Sequence, residues 1–551
     1  MILDKKLHEL AQAFDIVGII DFAEYFNVPF YNRNIWLQKQ LISVYKQKYT
    51  DNQRIIFTLD TSILSANDIT TVLTELSLAI FKIDISNFFV VIIASYHPDI
   101  VEIHSQIKNG DSIPTTLLTY KNTQIDYSYN SKEPLKIELD SLKSDEQFLL
   151  MESKTFCIYP WIHIHAYPTG DAYPCCQAEM QYSIGNCKNN TLEEIWNDEP
   201  MRNIRKKMLS NTPVNACIRC YEQESAGFLS GRRSANKHHG HHIDRVKKTQ
   251  IDGSYNEFEL VYWDIRFSNL CNLSCRSCGH IFSSSWYQDQ VKLAGPNWAK
   301  QNKVLNIAGR NKDDMWTQLM PHLDYVEQIY FAGGEPLMME EHYNILDELE
   351  RRGRFDVRLV YNTNFTQTRL KDREVFDYWR KFDSVAVGAS LDAMGPRAEY
   401  IRKGTNWDQV QHNREQMLRV CPRVDFYISP TLSILNAMHL PDFHRDWVNR
   451  GLIQAQDLNV NILQDPNHLR IDIATSEYKQ KIAQRYREHI EWLAPQDRLN
   501  RATVGFDSAI NFMMAADNTA LIPKFWDKMQ QLDSIRNENL LDIIPELSAL
   551  K

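Results

Sequence analysis

Residues 271–278 read Cys271-Asn272-Leu273-Ser274-Cys275-Arg276-Ser277-Cys278, and just before them stands an apolar run of strand type, Leu260-Val261-Tyr262-Trp263-Asp264-Ile265-Arg266-Phe267. Three thiols this close, at the mouth of a strand, can converge on one metal centre without help from distant chain. A tight cysteine run is the sequence signature of iron–sulfur ligation. A cuboidal cluster has four iron corners, so three cysteines leave one iron for a ligand that is not protein. The competing readings are buried cysteines acting as small hydrophobes, or a zinc site. Polar Asn272, Ser274 and Arg276 between the thiols argue against a dry core run, and zinc would want a fourth ligand nearby.

Downstream, strand and helix patterns alternate. Strand-like runs at Val326–Phe331, Val357–Tyr361, Ser384–Ser390, Val424–Ile428 and Leu458–Leu463 are separated by helical segments that include Met339–Arg351 and Asp372–Lys381. Such alternation argues a parallel sheet with right-handed crossovers. Polar features recur where the strands end: Gly333-Gly334-Glu335, Asn364, Ser390 with Asp392, and Gln464-Asp465-Pro466. In βα barrels the C-terminal strand ends form the active face. Paired glycines let the backbone approach a ligand, and a carboxylate beside an ammonium is a charge-assisted contact.

Upstream, six of the ten cysteines lie between Cys157 and Cys220. Trp161 to Tyr173 reads as a hairpin turned at Thr169-Gly170-Asp171, able to bring Cys157 and Cys175 together. A helix expected over Thr191–Leu209 carries a capping box at Thr191 and Glu194 and returns the chain to Cys217 and Cys220. Four thiolates, Cys157, Cys175, Cys217 and Cys220, can enclose a metal fully, and a four-cysteine zinc site fits the same spacing. Cys176 and Cys187 are left outside the set, since adjacent residues rarely both point at one metal.

Together these motifs resemble the radical S-adenosylmethionine (SAM) enzymes. The resemblance covers about residues 155–465 and implies a partial (β/α)6 barrel over 258–465. It implies a [4Fe-4S] cluster on Cys271, Cys275 and Cys278, with SAM on the open iron. Gly333, Gly334 and Glu335 match the element that receives the SAM amino group. Asn364, Ser390 and Arg402 match its ribose and carboxylate contacts, and Asp392 is a SAM or substrate contact. Arg276 stands where family members often have an aromatic that packs on adenine. Residues 151–225 resemble a twitch domain, half of a SPASM domain, and imply an auxiliary [4Fe-4S] cluster on Cys157, Cys175, Cys217 and Cys220. That module usually follows the barrel and here precedes it. The implied activity is reductive cleavage of SAM and hydrogen abstraction, most simply from a peptide or protein side chain. The alternatives are a small molecule such as a nucleoside or sugar, or a non-enzymatic Fe–S or zinc docking protein. A low-potential donor such as flavodoxin or ferredoxin is the implied redox partner.

The flanks carry no such chemistry. Residues 1–150 alternate buried-strand patterns (Phe14–Ile20, Arg54–Leu59, Phe88–Ala94) with a helical Asp68–Phe81, an α/β pattern suited to docking a substrate or to scaffolding, with a polar link over Lys132–Gln147. Residues 226–257, with His238-His239-Gly240-His241-His242, read as a solvated linker, although such a run can also bind a transition metal. Residues 466–551 are expected to form a helical cap. The net charge of −9 offers no overall positive field for nucleic acid or anionic membrane. The N-terminus lacks a signal-peptide pattern and the most apolar window, Ala79–Ser95, is interrupted by Lys82, Asp84 and Asn87, so a cytoplasmic protein is expected.

Overall fold

A computed structural model describes the backbone of six strands between residues 16 and 125 and, apart from 226–229, all residues from 143 to 551. The chain divides into two compact units, Met1–Lys136 and Ile137–Lys551. In the first, β1 (Ile16–Asp21), β2 (Arg54–Leu59) and β3 (Phe88–Ala94) pair in parallel, and β4 (Glu102–Ile107) adds antiparallel to β3. The first three strands fall on the apolar runs, and β4 is one that the sequence pattern did not mark. The helix expected over 68–81 and most of the polar link lie outside the described residues.

The second unit is built on one eight-stranded sheet. Its N-terminal part supplies β5 (His163–Ala166), β6 (Asp171–Tyr173) and β7 (Gly185–Asn186). Gly170, at φ +94°, makes the β5–β6 turn, where only glycine is unstrained. The helix expected over 191–209 is two helices, α1 (Leu192–Trp196) and α2 (Glu199–Leu209). The capping box of Thr191 and Glu194 starts the first, while Asp198 caps the second and Pro200 sits in its first turn, which resets the axis.

The stretch expected to be a solvated linker is instead a packed helix, α3 (Gly231–His239), which runs into a 3₁₀ turn over Gly240–Lys248. Arg232 is buried, paired with Glu224, and donates to the carbonyls of Ser153 (2.8 Å) and Phe156 (2.7 Å). Asn236 accepts from the Ile158 amide at 3.0 Å. Its polar side chains therefore hold the loop that carries Cys157. Composition misleads because these groups are satisfied by backbone and not by water.

β8 (Tyr262–Ile265), β9 (Gln328–Phe331), β10 (Arg358–Thr363), β11 (Val385–Ala389) and β12 (Asp425–Ile428) complete the sheet, in the order β12-β11-β10-β9-β8-β5-β6-β7. Every pair from β12 to β5 is parallel, and β6 and β7 are antiparallel. The sixth strand expected at Leu458–Leu463 is reduced to a bridge between Leu458 and Ile428 and a short pairing of Asn461–Ile462 with Thr431–Leu432. Pro430 separates the two, having no N–H to give to a ladder.

One face of the sheet, with Ile329, Phe331, Leu359 and Tyr361, is buried. His342 of α4 (Glu340–Arg351) stands edge-on to Phe331 at 4.7 Å and hydrogen-bonds the Tyr361 hydroxyl at 3.0 Å. The opposite face carries Tyr262, Asp264, Arg266 and Tyr330, by the period-two alternation of a strand.

The C-terminal region carries three helices, α5 (Ser476–Leu493), α6 (Arg501–Ala515) and α7 (Ile522–Arg536). Among the described residues no helix is long and apolar enough to cross a membrane. Arg276, from the cysteine loop, is buried and bonds Asp533 (2.5 Å) and Glu538 (2.6 Å) at the end of this cap, with its guanidinium 3.7 Å from the centroid of Tyr400. It therefore bolts the cap to the loop and is not directed at a ligand. Arg276→Ala strands two carboxylates that are mostly buried, and a loss of about 3–5 kcal/mol is expected. Urea unfolding followed by tryptophan fluorescence will show it as a lowered midpoint; an unchanged midpoint would remove the arginine from that role.

Candidate functional site

Because β8 to β12 run parallel, their C-terminal ends meet at one end of the sheet. There stand the cysteine loop after β8, Gly333-Gly334-Glu335 after β9, Thr363 and Asn364 at the end of β10, and Ser390 to Asp392 after β11. The sequence-predicted residues thus come together at one edge, in sheet order.

The cysteine loop is held by its own backbone. Ser284 and Ser285 donate to the Cys271 carbonyl (3.2 and 2.7 Å), Ser283 to that of Leu273 (2.5 Å), and the Trp286 indole to that of Cys275 (2.8 Å). Ser274 and Cys275 pair antiparallel with Lys403 and Arg402, which brings the Arg402 guanidinium to 3.8 Å from the Cys275 sulfur. The Leu273 amide (3.4 Å) and the Asn364 side-chain amide (3.9 Å) point at the Cys271 sulfur. Burial, and then the neighbouring Cys275, push the Cys271 and Cys278 thiols up to about 12. Burial raises Cys275 as well, against the nearby guanidinium. One buried and two half-buried cysteines, with N–H donors at Cys271 and a guanidinium at Cys275, suit thiolates neutralised by bound metal.

Glu335 ties the glycine turn to its neighbours. Its amide donates to the Leu270 carbonyl at 2.7 Å, while its carboxylate accepts from Thr363 Oγ1 (2.7 Å), the Asn364 amide (2.7 Å) and the Leu337 amide (3.1 Å). Gly334, at φ +55°, has no room for a side chain: a Cβ would lie 2.4 Å from the Leu270 carbonyl oxygen. Glu335 is completely buried, and burial raises its carboxyl to about 7 despite these donors. It is spent on shaping the turn, not presented on the surface.

Asp392 is likewise spent. It takes both arms of the Arg402 guanidinium (2.8 and 2.9 Å) and the Thr431 amide (2.8 Å), so it positions Arg402. Asn364 bonds Asn272 of the cysteine loop (2.9 Å), and Asn272 bonds Thr366 (2.9 Å), a network that the sequence reading missed. Ser390 is half-buried, its amide donating to the Thr363 carbonyl at 2.7 Å.

The upstream cysteines sort themselves electrostatically. The Cys157 thiol is raised by burial and then by Cys175, Cys217 and Cys220, and Cys175 by burial and then by Cys217 and Cys220. The Cys176 thiol is raised by burial and then by Asp264 and Cys175, and the Cys187 thiol by burial and then by Asp314. Residues 157–221 match the SPASM iron–sulfur cluster-binding domain. For these four thiols the match favours iron and sulfide over zinc.

No curated protein matches the chain. Among solved structures the chain is similar to native anSMEcpe with bound AdoMet and a peptide (17% identity, 41% of this chain and 58% of that one, TM-score 0.26). It is similar to Streptococcus suis SuiB bound to S-adenosylmethionine (13% identity, 50% and 57%, TM-score 0.26). A third is TYW1 with a lysine-pyruvate adduct bound (14% identity, 41% and 70%, TM-score 0.21). The chain spans 58% of the length of the first of these.

The SPASM region is continuous with the main sheet. β5 pairs in register with β8, His163 opposite Tyr262 and Ala166 opposite Ile265. Between the two cysteine sets lies a buried polar group that the sequence reading did not single out: Asp264 with Arg266 (2.8 Å) and His165 (3.2 Å). Arg266 and His165 hold Asp264 well below the usual carboxylate range although burial alone would raise it. The sequence signal was there, two charges, Asp264 and Arg266, at alternate positions of an apolar strand.

The Glu335 carboxyl gives a pH signature. Its folded value of about 7 exceeds the ordinary carboxyl value, so the folded chain keeps a proton that the unfolded chain releases. Stability from this group is complete at low pH and is lost as pH rises toward 7, by up to about 3 kcal/mol. In cluster-free protein, Glu335→Gln is expected to abolish that slope of the urea midpoint; a slope equal to wild type would refute the assignment.

Proposed function

We propose that this protein is a radical SAM enzyme with an auxiliary iron–sulfur cluster, acting on a peptide or protein side chain. One observation carries the reading. The loop of Cys271, Cys275 and Cys278 shares one end of a parallel sheet with Gly333-Gly334-Glu335, Asn364, Ser390 and Arg402, one element per strand end. Three cysteines suit a [4Fe-4S] cluster with an open iron, and Cys157, Cys175, Cys217 and Cys220 suit a second cluster with every iron held by protein.

When bound, a cluster of the first kind with SAM supplies one-electron cleavage of a C–S bond, giving methionine and a 5'-deoxyadenosyl radical that takes hydrogen from the substrate. The protein's part is placement and exclusion. Cys271, Cys275 and Cys278 would hold the first cluster. The tight glycine turn, shaped by Glu335, offers backbone to the SAM ammonium, while Arg402, aligned by Asp392, offers positive charge to its carboxylate. Asn364 and Ser390 offer hydrogen bonds to the ribose. Trp286 and the cap cover the loop at Cys275 and Arg276, which limits access of water and oxygen from that side. The register of β5 on β8 fixes the second cysteine set relative to the first, which suits removal of an electron from the substrate after hydrogen abstraction. A low-potential flavodoxin or ferredoxin in the cytoplasm would supply the first electron. The SPASM match is what favours a peptide substrate over a nucleoside or sugar.

Anaerobic reconstitution is expected to load about eight irons per chain, as two four-iron cubes require. Cys275→Ala should lose about half of that iron and all SAM cleavage, whereas Cys217→Ala/Cys220→Ala should lose the other half, keep SAM cleavage and form no product. Iron below four per chain in the wild type, or SAM intact under strong reductant, would end the proposal. Deuterium carried from labelled peptides into 5'-deoxyadenosine tests the substrate class, and transfer only from a small metabolite would reassign it.

A further inference from the structure

The histidine run after α3 does more than pack. Its 3₁₀ turn, Gly240–Lys248, brings the neighbouring rings of His241 and His242 to 4.1 Å, centroid to centroid, and turns both Nε2 atoms on one carboxylate. His241 Nε2 lies 2.9 and 3.2 Å from the two oxygens of Glu327, and His242 Nε2 lies 3.1 Å from one of them. One ligand atom from each residue falls within a single group spanning no more than 4.8 Å, the only trio of His, Cys, Asp or Glu so gathered among the described residues.

Glu327 is a rigid partner. It stands one residue before β9, its amide bonded to the Val261 carbonyl (2.9 Å) and its carbonyl accepting from the Arg358 amide (2.8 Å). The site therefore belongs to the N-terminal end of the sheet, opposite the end that carries Cys271 to Cys278. Side-chain exposures of 20%, 16% and 27% for His241, His242 and Glu327 describe a half-buried cleft with one side open to solvent. Burial would raise the Glu327 carboxyl, yet the hydrogen bonds from the two imidazoles hold it well below the usual range. Burial also lowers His242, which favours the neutral ring that a metal binds.

We infer that His241, His242 and Glu327 form a binding site for one divalent first-row transition-metal ion, of the borderline class typified by Zn²⁺, separate from both cysteine sets. Two imidazoles and a carboxylate with the remaining position left to water are a donor set that such ions take. In a tetrahedral site with bonds of about 2.0–2.1 Å, ligand atoms stand about 3.3 Å apart. The nitrogen-to-oxygen spacings here are 2.9–3.2 Å, so an ion enters by spreading the three groups a few tenths of an ångström. The ion would pin the 3₁₀ turn, and with it α3, to the β8–β9 edge of the sheet. Since α3 holds the Cys157 loop through Arg232 and Asn236, occupancy would stiffen the wall of the SPASM region.

Cobalt distinguishes this site from the cysteines. Full-length protein with its iron–sulfur clusters reconstituted is titrated anaerobically with Co²⁺. One equivalent is expected to bind with visible d–d bands and no thiolate-to-cobalt charge-transfer band, and the cobalt absorption edge should show only nitrogen and oxygen neighbours. Glu327→Gln, which keeps shape and hydrogen-bonding capacity, should weaken Co²⁺ and Zn²⁺ binding at least tenfold while leaving the iron content unchanged. Sulfur in the cobalt shell, no stoichiometric binding, or equal affinity in the variant would overturn the inference. If the variant fails to fold, the absorption edge of the wild type decides by itself.

Discussion

The structure depends on one parallel strand pairing, His163–Ala166 against Tyr262–Ile265. It joins two cysteine-bearing modules that are far apart in sequence into a single sheet, and it sets where each stands. On β5 the chain runs from the Cys157 side toward the turn at Gly170, then returns on β6 toward Cys175. The four upstream thiols consequently gather toward the start of β5, and the three downstream thiols gather beyond the end of β8. The modules occupy opposite ends of one strand pair. A rigid sheet, not a flexible tether, fixes their separation.

What lies between them is polar and dry. Asp264, His165 and Arg266 are packed with Tyr262, His163 and Tyr159, whose rings lie 4.5–5.2 Å apart. Burying a charge is costly unless it is paired and hydrogen-bonded, and Asp264 is paired with the Arg266 guanidinium, which also donates a hydrogen bond to it, and with the His165 imidazole. Arg266 also lies 4.8 Å from the ring centroid of Tyr330 on the next strand, so the group extends across β5, β8 and β9. A wall of this kind holds its shape with little rearrangement, which suits a site that must exclude solvent.

Parts of this were legible in the residues. The cysteines announced themselves because few chemistries need thiols at such spacing, and the strands β9 to β12 because their apolar periodicity is strong. Gly333 and Gly334 were readable as close-approach positions, and the structure gives the reason in the Arg266 side chain for the first and the Leu270 carbonyl for the second. Other parts were hidden for physical reasons. Glu335 and Asp392 look like ligand contacts in sequence, but their oxygens are already taken by Thr363, Asn364 and Arg402, a matter of distant partners that no local pattern records. Residues 231–248 look solvated because Arg, Asn and His usually are, and here Arg232, Asn236 and His239 are buried, the first two bonded to backbone and to a carboxylate. The β5–β8 pairing left no local trace, since parallel partners carry no turn signal between them.

The order of the modules has a consequence for biosynthesis. His163 and Tyr262 are 99 positions apart, so at about 5–20 residues per second β5 emerges roughly 5 to 20 s before its partner exists. Through that interval the cysteine hairpin shows an unpaired strand edge, the kind of surface that recruits other chains. Only four residues long, β5 offers a poor template, and α3, made before β8, can already hold the Cys157 loop. The nascent chain thus passes through a stage in which its upstream thiols are gathered and one flank is still open, and the arrival of Tyr262–Ile265 closes it.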